Sequence, residues 1–282
     1  MNERFYQLNT VLMRIGVYGV LAVILAVTIA PIWLLLVNAT RSTTEIQQGL
    51  SFFPSSHLID NYKILLSKGL NLPRGFANSL FVAAASTAIT VYFSMLTAYG
   101  LAVYEFKARR AVSNFIVALV LIPTQLSIVG FYQYMSRLGL TDNYASLILP
   151  LIANAAGVFF CKQYLESMMI QDLIDAARID GAGELDIFHL IMMPLALPGA
   201  ATLGIFAFVT SWNNFFNAFI LITSIEKYTL PMLVQTLRGD VYRTEYGAIY
   251  LGLAVTIAPI LVIYALFSRY IVSGIAMGAV KE

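Results

Sequence analysis

Long apolar runs alternate with short polar stretches along this chain, and the runs set its architecture. Residues 15–37, 76–103, 111–135, 143–161, 198–225 and 246–268 contain no Asp, Glu, Lys or Arg. About 20 apolar residues at 1.5 Å rise each cross a hydrocarbon core. Each run therefore predicts a transmembrane helix, and the longer ones must tilt or project beyond the bilayer. Pro31, Pro123, Pro150 and Pro259 fall inside four of the runs. Proline is tolerated there when neighbours or water satisfy the freed carbonyls, and it often kinks the helix. The first run exceeds the apolar core of a signal peptide and no small-x-small cleavage site follows it, which predicts an anchor that stays. The expected fold class is all-α integral membrane. Six spans fill a domain over 15–273, with a segment 1–14 before it and a tail 274–282 after it.

Composition agrees: 59% of the 282 residues are hydrophobic and 11% charged, against about 25% charged in a soluble domain. A net charge of +2 is too small to argue for nucleic acid and no basic cluster is interleaved with aromatics, so no nucleic-acid partner is expected. Cys161 is the only cysteine and the two histidines, His57 and His189, lie far apart. Neither a disulfide nor a metal site is expected, and no catalytic residue stands out. An even number of spans puts both termini on one side. The basic residues divide nine to eight between the sides, so the short loop decides: "YEFKARR" at 104–110 carries three positive charges, and short loops weigh most in the positive-inside rule. This loop and both termini are expected in the cytoplasm, together with the loop over 166–197. The outer stretches 38–75 and 226–245 are long enough to dock an extracytoplasmic partner, or to serve as plain connectors. The first contains "FFPSSHLIDNYKILL", a turn and then a short amphipathic segment.

The loop 166–197 contains "DAARIDGAGELD" at 175–186, the most acidic short stretch of the chain. Asp172 can cap a short helix, with Asp175 three residues on as a capping-box partner. Ile170, Leu173, Ile174 and Ala177 recur at helical spacing. Asp180-Gly181 is a turn signal. A second amphipathic piece carries Leu185, Phe188, Ile191 and Met192 on one face and ends at Pro194 and Pro198. The loop thus reads as helix, glycine turn, helix. Too small to fold alone and apolar on one face, it either docks to a separate protein or packs back on its own bundle.

"DAARIDGAGELDIFHLIMMPLALP" resembles the signature loop of binding-protein-dependent ABC importer permeases, with Asp175, Ala176, Ala177, Gly181 and Pro194 in the family's places and Asp175 where glutamate is usual. "ARIDGA" and Phe188 are similar to the carbohydrate-importer branch. So are "NSL" at 78–80, "LGLTDNYASLILP" at 138–150, "SWNNFFNAFIL" at 211–221 and "RYIVSGIAMGAVK" at 269–281, where Gly274, Gly278 and Lys281 match. The likeness is greatest to the smaller, six-span permease of the maltose-type pair.

The resemblance implies a type I ABC importer permease fold, in a bacterial or archaeal cell (inner) membrane, importing a sugar or oligosaccharide by alternating access. Asp175, Ala176, Ala177, Asp180, Gly181, Ala182, Phe188 and Pro194 would couple the chain to an ATPase. Asp175 and Asp180 would bridge that interface or cap the helices. Implied partners are a second, different permease, a cytoplasmic ATPase dimer and an extracytoplasmic solute-binding protein. This chain would bind no cofactor; ATP and Mg would sit on the ATPase. In keeping with that, no P-loop occurs and no Lys follows a Gly.

Polar residues in uncharged spans face the interior or water. Asn78, Gln125, Tyr132, Trp212, Asn213, Asn214 and Asn217 are pathway candidates, with Ser86, Thr87, Thr90, Asn154 and Thr210. Amides can bond sugar hydroxyls and aromatic faces can stack on sugar C–H patches. Helix–helix hydrogen bonding is the competing use of such residues. The absence of charge within the spans disfavours a proton-coupled carrier. Without a nucleophile or histidine beside the loop acids, a membrane enzyme is disfavoured too. A permease for glycerol-phosphate or a polyol is the alternative within the family.

Overall fold

The computed structural model describes residues 2–67, 70–168, 171–238 and 244–279, with the backbone alone for 2–11, 124–125, 237–238 and 268–279. All regular elements among the described residues are helical: α1 (Asn2–Ala39), α2 (Thr43–Gln47), α3 (Leu58–Ser67), α4 (Leu72–Val103), α5 (Arg109–Val120), α6 (Ile128–Arg137), α7 (Ala145–Ala153), α8 (Ala155–Ser167), α9 (Gln171–Ile179), α10 (Glu184–Leu195), α11 (Leu197–Trp212), α12 (Phe215–Leu221), α13 (Leu230–Arg238) and α14 (Tyr246–Ala279).

Three of the apolar runs lie in single helices long and apolar enough to cross a membrane: Leu12–Ala39 of α1, α4, and Tyr246–Phe267 of α14. The run 143–161 falls on a pair, α7 and α8, bent by 40°, and 198–225 begins in α11, which meets α10 at 80°. With each bent pair as one span the number reaches five, compatible with six but short of it. The run 111–135 is divided between α5 and α6, because Pro123 takes extended backbone (φ −61°, ψ 119°) and caps a short 3₁₀ turn. Pro31 and Pro259, by contrast, sit inside unbroken helices. Two further breaks come from asparagine. Asn154 and Asn214 leave helical backbone, and each side chain accepts an N–H from three residues on, Gly157 and Asn217, starting α8 and α12 afresh.

The described chain forms two compact units, Met1–Asn71 with Val234–Val255, and Leu72–Leu233 with Thr256–Glu282. In the first, the buried amide of Asn61 donates to the carbonyls of Ala39 and Arg41, both at 2.9 Å, holding α3 to the end of α1. Gly247 packs on the same spot, where a Cβ would collide with the Arg41 carbonyl and the Asn61 amide. Backbone cannot rotate away as a side chain can, so Gly247→Ala is expected to cost about 1–3 kcal/mol and to lower the thermal midpoint of the detergent-solubilised protein.

In the second unit α4 is the axis. Its buried face is a row of small residues, Ser79, Ala83, Ser86, Thr90, Ser94 and Ala98, and helices pack closely where side chains are small. Along α4 lie α8 and α11. Gly199 of α11 touches the Tyr164 ring of α8. One apolar cluster gathers Met95, Tyr99, Cys161, Ile174, Phe188 and Met192; another gathers Val82, Met135, Leu147, Leu221 and Met232. The first cluster fastens the 166–197 loop to the bundle.

Candidate functional site

The loop is built as the glycine signal predicts, with its faces differently disposed. Gly181 has φ 84°. Its N–H bonds the Arg178 carbonyl and the Ala182 N–H bonds the Ala177 carbonyl, the bond pair of a Schellman motif with glycine at C′. Ala177 and Ala182 make the apolar contact that accompanies this turn. After Gly183 the chain enters α10, which widens into a π turn over Ile187–Met192 ahead of Pro194.

Several expectations need correction. Asp172 lies inside the first turn of α9 and does not precede it. Asp175 is no capping partner: its carboxylate pairs with Arg178 at 3.2 Å and accepts from Gln171. Asp180 is exposed at the C-terminal turn, where a helix has no N–H groups left to cap. Ala177 and Phe188 are buried in the bundle, where they hold the loop. Leu173 and Leu185 point outward, at 44% and 63% exposure, because α9 buries Ile174 and Ala177 and the π turn breaks the 3.6-residue phase of α10. Ile170 lies outside the described residues. The outward surface therefore carries Asp175, Ala176, Asp180, Gly181 and Pro194, with exposed Leu173, Ile179, Leu185 and Leu190 among them.

An ion pair across the turn was not anticipated. Arg178 Nε donates to Glu184 Oε1 at 2.8 Å, and the Tyr99 hydroxyl of α4 donates to Glu184 Oε2 at 3.0 Å. Arg178 also lies over the Tyr104 ring. The Arg178 guanidinium first, and then Tyr104, hold the Glu184 carboxyl down at about 2. Both arms of the loop are thereby tied to each other and to a membrane-spanning helix. His189 is held too, its ring stacked on Tyr92 and hydrogen-bonded to it.

The pathway candidates separate into groups. Asn78 donates to the carbonyls of Glu226 and Tyr228, fixing a connector. Beside it Asp142 accepts from Thr223, Ser224 and Lys227, and the Lys227 ammonium, with Ser224, holds its carboxyl well below the usual range. Trp212 is buried; its indole N–H donates to the Thr256 carbonyl at 3.0 Å and its ring packs on Phe208 and Phe76. Those bonds leave Asn78 and Trp212 as structural ties. Tyr132 and Asn213 are exposed and Asn217 is half-buried; the Gln125 side chain lies outside the described residues. Thr87 bonds the Ala83 carbonyl one turn back, and Ser86 is buried without a partner.

The remaining candidates converge. Thr90, Asn154, Thr210 and Asn214 line one cavity of about 360 Å³ with Ser211, Phe160 and Phe206. Asn154 and Asn214 are the residues at which two helices break, and irregular backbone at membrane depth is stable only where it is buried in protein or lines a cavity. The Ser94 hydroxyl, buried and unbonded, lies against Gly157 beside Asn154.

A helical membrane bundle with a polar cavity at broken helices and an outward-facing helix–turn–helix is the form of a transport subunit. The chain belongs to the family of binding-protein-dependent transport system inner membrane components, which it matches over residues 90–277. It is 33% identical over 254 residues to the arabinooligosaccharides transport system permease protein AraQ of Bacillus subtilis, covering 89% of this chain and 90% of that protein. It is 30% identical to the diacetylchitobiose uptake system permease protein NgcG of Streptomyces coelicolor, covering 90% and 85%. The fold matches a chain of a bacterial ABC transporter involved in import of the acidic polysaccharide alginate, with a TM-score of 0.81 over 92% of this chain and 96% of that one, at 23% identity.

Proposed function

We propose that this chain is the membrane-spanning half of an ATP-driven importer for a sugar or oligosaccharide. A second, different permease completes the pathway, a solute-binding protein delivers the sugar from outside, and a separate ATPase dimer hydrolyses Mg-ATP. The termini and the 166–197 loop lie in the cytoplasm, where Asp175, Ala176, Asp180 and Gly181 meet the ATPase. The observation that carries the sugar reading is the cavity between α4, α8 and α11. Its lining offers hydroxyls, amides and aromatic rings and no charged side chain, which suits a neutral, hydroxyl-rich solute. The sugar names of the relatives agree with it.

The test is uptake in proteoliposomes containing the whole transporter with its binding protein. Labelled oligosaccharides should enter only with ATP. Thr210→Val, which keeps volume and removes one hydroxyl, should slow uptake roughly fivefold, one hydrogen bond contributing about 1 kcal/mol. Uptake without ATP would reject the importer. Stimulation by glycerol-phosphate or a polyol, and by no sugar, would replace the substrate class.

A further inference from the structure

A second concave surface lies outside the loop and the polar cavity. Between the end of α4 and the start of α5, about 650 Å³ of space is lined by Lys107, Arg109, Arg110 and Lys162, against two acids, Glu105 and Glu166. Glu166 is already neutralised: Lys162 Nζ lies 2.7 Å from it and Arg109 Nη2 3.7 Å. Arg109 is also fixed from behind, its guanidinium donating to the last carbonyls of α4, Leu101 and Ala102. Lys107 and Arg110 are exposed and form no ion pair among the described residues. The floor is therefore rigid and keeps one net positive charge, and at the rim Lys107 and Arg110 outweigh the single acid Glu105.

The setting decides what such a rim binds. It lies where α4, a helix apolar enough to span a membrane, ends at Val103. Phe106 lines the same space and is 45% exposed. From there Val112, Phe115 and Leu119 continue along α5, all exposed and at the spacing that shares one helix face. A cationic hollow at the level of the headgroups, opening onto an apolar helix face, has the two-part chemistry of a phospholipid. The phosphate meets Lys107 and Arg110, and the acyl chains lie along α5. Arginine suits phosphate because its guanidinium can donate two parallel bonds, and basic pockets between membrane helices on the cytoplasmic side take anionic headgroups.

The geometry points to a site for an anionic phospholipid, held by Lys107 and Arg110 against α5. It stands apart from the transport reading, since it requires neither the sugar nor the coupling role. The test is native mass spectrometry of the intact transporter in detergent, with phosphatidylglycerol or phosphatidylcholine added. The unaltered protein should retain phosphatidylglycerol in preference. Lys107→Gln with Arg110→Gln should weaken that retention roughly thirtyfold, by the attraction that two basic side chains exert on an anionic lipid. Lys107→Arg with Arg110→Lys should keep it, which controls for folding. Equal retention of the two lipids would overturn the proposal, as would a preference unchanged in the Gln variant. Displacement of the lipid by equimolar inorganic phosphate would make the site one for free phosphate. Loss of the ATPase subunit from the Gln variant alone would make the surface a subunit contact.

Discussion

Replacing Gly181 by valine is expected to abolish coupled uptake while the protein still inserts and the ATPase still turns over. The reason lies in the backbone. At φ 84° an L-residue meets its own carbonyl, at about 1–2 kcal/mol, and a β-branched residue fares worse. A Cβ added at Gly181 meets nothing of this chain within 4 Å, so the bundle has no steric reason to unfold. What changes is the turn: without the Schellman bonds from Gly181 and Ala182, α9 and α10 lose their fixed angle. Gly181→Asn separates backbone from bulk, because asparagine tolerates the left-handed region. It should retain most uptake where valine loses nearly all, with ATP hydrolysis measured in parallel. Equal loss in both variants would move the cause to the surface docked on the turn. Normal substrate-stimulated uptake in the valine variant would remove the coupling role altogether.

That turn was legible in sequence because its determinant is local: Asp180-Gly181 dictates a conformation whatever surrounds it. The continuous helices were legible for a similar reason, since α1, α4 and α14 hold uninterrupted apolar composition over more than a membrane's width. Their prolines were not. Pro31 and Pro123 look alike in an apolar run, yet α1 continues through the first and α5 stops before the second. Both prolines are exposed, and the difference lies in the backbone: the helix runs on through Pro31, whereas Pro123 takes extended torsions. Asn154 and Asn214 likewise read as polar side chains on a helix, when each ends one helix and starts the next. Trp212 read as a sugar platform because its partner, the Thr256 carbonyl, is 44 residues away. The Arg178–Glu184 pair escaped because six residues and a left-handed turn separate its members, outside the i, i+3 and i, i+4 spacings that flag ion pairs on one helix.

That pair yields the second large effect. Glu184→Ala should leave ATP hydrolysis in place and reduce uptake roughly threefold to thirtyfold, a change of about 0.5–2 kcal/mol in coupling. Its value is geometric. The side chains are 33% and 43% exposed, where an ion pair adds little stability, so the fold should survive its loss. What goes is the only carboxylate bonded by both Arg178 of α9 and Tyr99 of α4 among the described residues, and with it that direct tie between the loop and the membrane helix. Exchanging the charges, Arg178→Glu with Glu184→Arg, should restore part of the uptake, which a merely structural role for either residue would not produce. The pH dependence supplies a second check. With the Glu184 carboxyl lowered from its ordinary 4.5 to about 2, the pair is fully formed above the ordinary value and is lost as pH falls toward the lower one. Coupling in the unaltered protein should therefore show no titration from Glu184 between about pH 4 and 8, a window that includes its ordinary value of 4.5. A step in the uptake-to-hydrolysis ratio within that window, absent from Glu184→Ala, would mean that Glu184 is not held by Arg178 in the working transporter.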